Sequence, residues 1–230
     1  MRRNLSVLFL AASILLMLPF AASALGVDLE AKGGGGLALG TTSDDNTSGD
    51  IRWAAGGGIG VDVYLFDVGP VALGLSAGVD YSNLSFHGVT KDYAGFTERT
   101  TDSVYNYLNF PFALKARLPI NESLSATLAA GGFVGYFLGG TTKLTYNPEI
   151  PPFFTNGKVT LDKDTTEQWE WGLHFTGGLD IAIGKNLFFS PSLQFDMGLT
   201  DTSVDVQPYD AFKDTFWSLT LNLAIKYRVL

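Results

Sequence analysis

Residues 217–229 read Trp217-Ser218-Leu219-Thr220-Leu221-Asn222-Leu223-Ala224-Ile225-Lys226-Tyr227-Arg228-Val229. Large apolar side chains occupy every second position, and small, polar or basic ones lie between them. An amphipathic helix needs apolar residues at i, i+3 and i+4. Here they stand at i, i+2 and i+4, which describes a strand with two unlike faces. The same alternation recurs seven more times, near 26–39, 52–66, 71–86, 104–118, 124–138, 168–183 and 187–199. Eight strands and no helix are expected.

The connections alternate in length. Those at Asp67-Val68-Gly69-Pro70, Pro119-Ile120-Asn121-Glu122 and Gly184-Lys185-Asn186 are tight, whereas 40–51, 87–103, 139–167 and 200–214 are long and polar. In an up-and-down sheet every short turn then lies at one end and every long loop at the other. Membrane barrels of the bacterial outer membrane have this asymmetry, and strands of ten or more residues cross a bilayer with tilt. The expected fold is all-β: an eight-stranded antiparallel up-and-down transmembrane β-barrel.

Residue types assign the faces. One face carries Val61, Val63, Leu73, Leu75, Phe112, Leu114, Leu128, Leu173, Leu179 and Leu193; the other carries Gly56, Gly58, Asp62, Ser76, Asp80, Lys115, Arg117, His174, Asp180 and Asp196. A soluble barrel would turn the aliphatic set inward and show water a glycine-rich surface, which weakens strands without aiding solubility. A membrane barrel turns the aliphatic set to lipid, so that outer-membrane lipid is the first partner. The crowded lumen of eight strands then needs small residues inside. Trp53, Trp169, Trp171 and Trp217 all start strands on the aliphatic face, just after a long loop, where an indole at the membrane–water interface is expected. Phe189 and Tyr227 would join the opposite girdle.

Composition narrows the class further. The 230 residues hold 15 Lys and Arg against 23 Asp and Glu, no cysteine and 27 glycines. A charge of −8 argues against nucleic acid. Lack of cysteine excludes disulfides and thiolate metal sites. Residues 1–24 read as a cleaved signal peptide: Arg2 and Arg3, an apolar run from Leu5 to Phe20, then Ala22-Ser23-Ala24. The barrel domain would be 25–230, with 13 basic and 23 acidic groups, a net −10.

Three stretches resemble a known family. Tyr107-Leu108-Asn109-Phe110-Pro111-Phe112-Ala113-Leu114-Lys115 is similar to the Y-L-E-I-P-L-L-L-K strand of the eight-stranded outer-membrane β-barrel domain family (PorT-like, with OmpA/OmpX-like architecture). Ala130-Gly131-Gly132-Phe133-Val134-Gly135-Tyr136 resembles its next strand. Gly177-Gly178-Leu179-Asp180-Ile181 with Gly184-Lys185-Asn186-Leu187 resembles a later hairpin. The likeness is close over roughly residues 104–200. It implies a bacterial outer-membrane location and, for most members, no assigned activity. One departure concerns the end of the chain: such barrels usually finish on an outward aromatic, whereas Leu230 falls on the inward parity here.

Two lumen sites are expected from the inward parity. Asp28, Glu30, Lys32, Asp62, Lys115, Arg117, Asp180, Lys226 and Arg228, four acids and five bases, lie toward the short-turn end. Charges at that density must pair, so a salt-bridged plug is expected. Toward the long-loop end Asp80, Glu170, His174 and Asp196 would form an acidic vestibule, with Gly34, Gly36, Gly56, Gly58, Gly135 and Gly139 leaving room. His87 is expected in a loop. No catalytic or metal-ligand spacing and no cofactor motif stands out. Function then rests on the long loops, where Tyr93, Phe96, Phe153 and Phe154 are candidates to contact an extracellular ligand or a partner on a host or other surface. Asn156-Gly157 signals a hairpin turn. The alternative reading is a narrow porin-like channel for small polar or cationic solutes.

Overall fold

The computed structural model describes residues 26–42, 47–91, 97–151, 155–162, 166–200 and 214–229. Residues 1–24 and the loop aromatics Tyr93, Phe96, Phe153 and Phe154 lie outside them. Among the described residues ten strands are formed: β1 (Gly26–Thr42), β2 (Thr47–Asp50), β3 (Arg52–Val68), β4 (Val71–Lys91), β5 (Glu98–Asn121), β6 (Leu124–Asn147), β7 (Gly157–Leu161), β8 (Trp169–Ala182), β9 (Leu187–Gly198) and β10 (Asp214–Arg228). Eight of them form a ring in which every pairing is antiparallel: β1–β3–β4–β5–β6–β8–β9–β10 and back to β1. No helix among the described residues is long and apolar enough to cross a membrane. The crossing elements are the strands.

The ring is inside-out relative to a soluble protein. Leu114 is 71% exposed and Leu128 67%, and Leu173, Leu193, Leu221, Leu223 and Ile225 also face outward. Asp62, by contrast, is 2% exposed and Lys115 7%. Val63 shares the outward parity but is buried. A sheet so arranged satisfies its backbone by closure and presents lipid with aliphatic groups, the arrangement hydrocarbon demands.

Two prolines interrupt the ladder. The β4–β5 register skips Gly78 and Val79, which stand opposite Pro111 and Phe110. Likewise β8–β9 skips Leu179 and Asp180, opposite Pro191 and Ser190. A proline has no N–H to donate, so each opens the ladder on one side and keeps its pairing on the other. At the short-turn end Gly69 holds φ at 60°, a conformation that favours glycine, and lets β3 turn tightly into β4.

Above the membrane the wall is taller than the apolar pattern indicates. The segment 87–103, expected as a loop, is mostly strand: β4 runs on to Lys91, β5 begins at Glu98, and His87 therefore sits on β4. The segment 40–51 contributes β2, which pairs with the β4 extension from Thr47↔Thr90 to Asp50↔His87. β6 continues to Asn147, and β7 folds back on it from Gly140↔Leu161 to Leu144↔Gly157. Asn156-Gly157 is not the turn of that hairpin. Gly157 opens β7, and the Asn156 carboxamide oxygen accepts the Tyr146 N–H. This wall has no lipid-covered face, so no apolar alternation marks it, while Val89, Thr100, Thr101, Val104, Thr141 and Thr142 supply strand propensity. At 24 residues each, β5 and β6 exceed the ~9–11 that a transmembrane strand requires.

Leu193 and Leu221 face each other across β9 and β10 near the middle of both strands. Leu193→Arg is expected to cost about 2–4 kcal/mol of stability in urea titrations of protein folded into vesicles. A loss within about 0.5 kcal/mol, normal for a water-exposed site, would contradict a lipid-facing wall.

Candidate functional site

The lumen is built in layers by alternate residues of the eight ring strands. At the short-turn end, Asp28 is fully buried and accepts bonds from Arg117 (3.0 Å) and from Arg228 Nε (2.9 Å). Both guanidiniums also cover aromatic faces: Arg117 lies 4.0 Å from the Tyr64 ring centroid and Arg228 4.5 Å from that of Phe188. These contacts join charge pairing to cation–π attraction.

One layer up, Lys226 is the hub. Its ammonium lies 3.0 Å from Asp180, 3.3 Å from Glu30 and 3.5 Å from Asp62. Lys115 donates directly to Asp62, which also accepts from Ser76 at 2.7 Å. Ser190 donates to Asp180 at 2.7 Å. In this layer and the one below, four carboxylates meet four cations. Lys32 stands apart from the group in which it was expected: it pairs with Asp80 at 2.8 Å and donates to Gln194 at 3.2 Å, and so belongs to the layer above.

That layer holds the expected vestibule residues, but not as a roomy vestibule. Asp80, Glu170 and His174 are buried. His174 Nδ1 donates to Asp196 at 2.6 Å, and Gln194 donates to the other Asp196 oxygen at 2.6 Å. Five of the six glycines, all but Gly139, leave no open space, and three of them seat polar groups. A Cβ on Gly58 would strike the Asp80 carboxylate, one on Gly34 the Asn222 carboxamide, and one on Gly135 the Asn109 carboxamide at 2.8 Å. On Gly36 or Gly56 it would strike the neighbouring strand's backbone. Glycine here lets strands and side chains approach, so the expected volume is filled.

A further layer was missed at the sequence level. Tyr107, Phe137 and Phe216 are buried with Leu84, Ala38 and Ala54, and Phe86, Tyr105 and Leu161 pack on them. Tyr105 and Phe216 stand 4.8 Å apart between ring centroids, Tyr107 and Phe137 5.5 Å. This aromatic cap covers the buried acids from the long-loop side. Its signal was present: Tyr107 shares the parity of Asn109 and Lys115, and Phe216 that of Ser218.

Thr176 Oγ1 lies 3.1 Å from His174 Nε2, which completes the order of a hydroxyl–imidazole–carboxylate relay with Asp196. The polar cavity beside it measures only about 40 Å³ and is lined by Lys32, Asp62, Lys115 and Lys226. A few waters fit there, but an ester or peptide does not.

On the outer face, Trp53 and Trp171 are exposed, Trp169 packs edge-on against Tyr136 at 4.9 Å, and Trp217 lies 6.2 Å from Phe195. All four sit at the long-loop ends of β3, β8 and β10. Phe189 is half-buried and Tyr227 exposed, toward the short-turn end.

Asp62→Ala would leave Lys115 and Lys226 short of their shared carboxylate. It is expected to destabilise the folded barrel by about 3–5 kcal/mol in urea unfolding, whereas Asp62→Leu with Lys115→Met should recover most of that. Equal losses in both variants would show that the pair is not the cause.

The model of the outer membrane protein beta-barrel domain family matches residues 22–204. No curated protein matches the chain. Among solved structures, the chain is similar to the outer membrane protein OprG from Pseudomonas aeruginosa (11% identity, TM-score 0.49, covering 89% of this chain and 96% of that one). It is also similar to Neisserial surface protein A (10% identity, TM-score 0.42, 87% and 96% covered). A third is the outer membrane protease OmpT from Escherichia coli (8% identity, TM-score 0.43, 90% and 97% covered).

Proposed function

Because the chain belongs to the outer membrane protein beta-barrel domain family, we propose that it works as a closed barrel whose lumen is structural and whose long-loop end is presented at the cell surface for interaction. The filling of the lumen carries this reading. Three cavities between its layers, lined by described residues, measure about 40, 30 and 20 Å³, sizes for isolated waters. Ion-paired layers lie below them and an aromatic cap above. The porin-like alternative needs a continuous wet path, and the Lys226 hub and the Phe137–Tyr107–Phe216 cap stand across it. The His174–Asp196 pair reads as structural, since both ring nitrogens are engaged and the cavity beside them excludes a substrate; the protein is proposed to be no enzyme.

The extended wall of β4, β5, β6 and β7, with β2 on its flank, would hold the loops above the outer leaflet. Rigid strands that carry exposed loops are a common platform for binding. Trp53, Trp169, Trp171 and Trp217 would mark the outer boundary and Phe189 and Tyr227 the inner one. Residues 1–24 would be removed on export, so N-terminal sequencing of protein extracted from membranes should begin at Leu25, not Met1.

Liposome swelling and planar-bilayer recording test the closed lumen. Wild-type protein should admit no small sugars and give no steady conductance, and Phe137→Ala with Lys226→Ala should raise conductance measurably. A large steady wild-type conductance would contradict the reading. Orientation is checked separately: an epitope inserted at 148–151 should be labelled on intact cells, and one at 184–186 only after permeabilisation.

A further inference from the structure

The strand β2 is held by little. It has four residues and, among the described residues, its ladder is with β4 alone, from Thr47↔Thr90 to Asp50↔His87. Its other flank meets the end of β1, where a Cβ on Gly49 would come within 2.8 Å of the Gly40 carbonyl oxygen. A ladder so short opens easily, and one side-chain contact is enough to bias it. Three side chains stand in a row across its end. Asp50 on β2 is the register partner of His87 on β4, and His87 that of Asp102 on β5, so all three share the outer face. The row lies above the membrane boundary, since His87 is three residues beyond Leu84, the partner of Ala54 beside Trp53.

His87 Nδ1 is 2.6 Å from Asp102 Oδ1. An ionised carboxylate only accepts, so the single N–H of the neutral ring lies on Nδ1. Nε2 then turns a lone pair toward Asp50 Oδ2, 3.8 Å away. Two acceptors face each other there, and no bond forms. A proton taken from solvent onto Nε2 makes that nitrogen a donor and sets a cation between two carboxylates. Histidine is the side chain that changes charge between about pH 5 and 8. The other charges nearby leave this contact alone. On β3, Arg52 lies 4.0 Å from the Asp102 oxygen that already holds Nδ1. On β6, Lys143 stands opposite Asp102 on its far side. On β4 itself, Lys91 is two outward positions farther on, opposite Glu98. Asp50 is exposed, and among the described residues its one ion-pair partner is His87.

We infer that β2 is a latch closed by acid: uptake of one proton at His87 Nε2 ties Asp50 to the ring and docks β2 on the wall of β4 and β5. With Nε2 unprotonated, Asp50 has no donor to meet and β2 detaches more often. The contact is therefore present while the ring is protonated and lost as pH rises. An exposed ion pair of this kind changes the ratio of docked to detached β2 by about two- to fivefold. The long-loop end thereby gains a response to acid, whatever it binds.

The test is the mobility of β2 in the full barrel refolded into lipid vesicles. The chain has no cysteine, so a nitroxide on Ser48→Cys reports this strand alone, and its spectrum separates an immobilised, docked population from a mobile one. From about pH 8 to about pH 5.5 the ratio of docked to mobile label should rise about two- to fivefold. His87→Gln still reaches Asp102 but takes up no proton, and should hold one ratio throughout. Asp50→Asn removes the charge that the protonated ring meets and should lose most of the rise. A ratio that does not change with acid when His87 and Asp50 are both present would overturn the inference. So would an equal rise in His87→Gln, which would assign the response to another group. If His87→Gln fails to insert, an equal rise in Asp50→Asn is just as decisive. Conductance is not read here, so failure leaves the closed-barrel reading untouched.

Discussion

The antiparallel pairing of β1 with β10 is the contact on which everything else depends. It runs through fifteen residue pairs, from Asp28↔Arg228 to Thr42↔Asp214, and turns a sheet with two raw edges into a cylinder with none. In hydrocarbon an unpaired peptide group has no water to fall back on, so an open edge is not tolerable. Once the cylinder is closed, its outer side chains must be apolar and its inner space is fixed by the number of strands. The rest of the sequence answers those two conditions.

Inside, the answer has three chemistries stacked along one axis. Arginines sandwiched between Asp28 and the rings of Tyr64 and Phe188 close the short-turn end. A lysine–carboxylate network around Lys226 and Asp62 fills the next layer. Aromatic rings close the long-loop side. Burying ion pairs is expensive in general, and a purely apolar filling of equal shape would often be as stable. Paired charges do confer orientation, since Asp62 has to meet both Lys115 and Lys226, and those contacts fix β3 against β5 and β10. A filled lumen also explains why the most distinctive architecture lies above the membrane, in the tall β4–β7 wall.

The barrel was legible in the sequence because its strongest signal, period-two alternation, arises wherever one face meets lipid and the other a polar lumen. Trp217 to Val229 shows it without interruption. The signal fails where that asymmetry ends. Above the bilayer, His87, Thr90, Asp102 and Thr145 lie on strands without a lipid-covered face, and nothing in their polarity separates them from loop residues. The lumen charges could be listed from parity, yet their partners could not, because Lys32 reaches Asp80 and Gln194 through its long side chain and not through its register partner. The glycines misled for a related reason: a missing side chain was read as empty space, whereas at Gly58 and Gly135 the space is taken by the carboxylate of Asp80 and the carboxamide of Asn109.

The chain has no cysteine, so a single nitroxide can be placed at each position from 217 to 229 in turn. Collision rates with oxygen, which dissolves in lipid, and with a polar nickel chelate then read which face meets hydrocarbon. The account predicts a period of two through the barrel in lipid vesicles: labels at Leu219, Leu221, Leu223 and Ile225 see oxygen, and labels at Thr220, Asn222 and Ala224 see little. The opposite phase, or no alternation, would contradict a lipid-facing aliphatic wall around a polar, packed lumen.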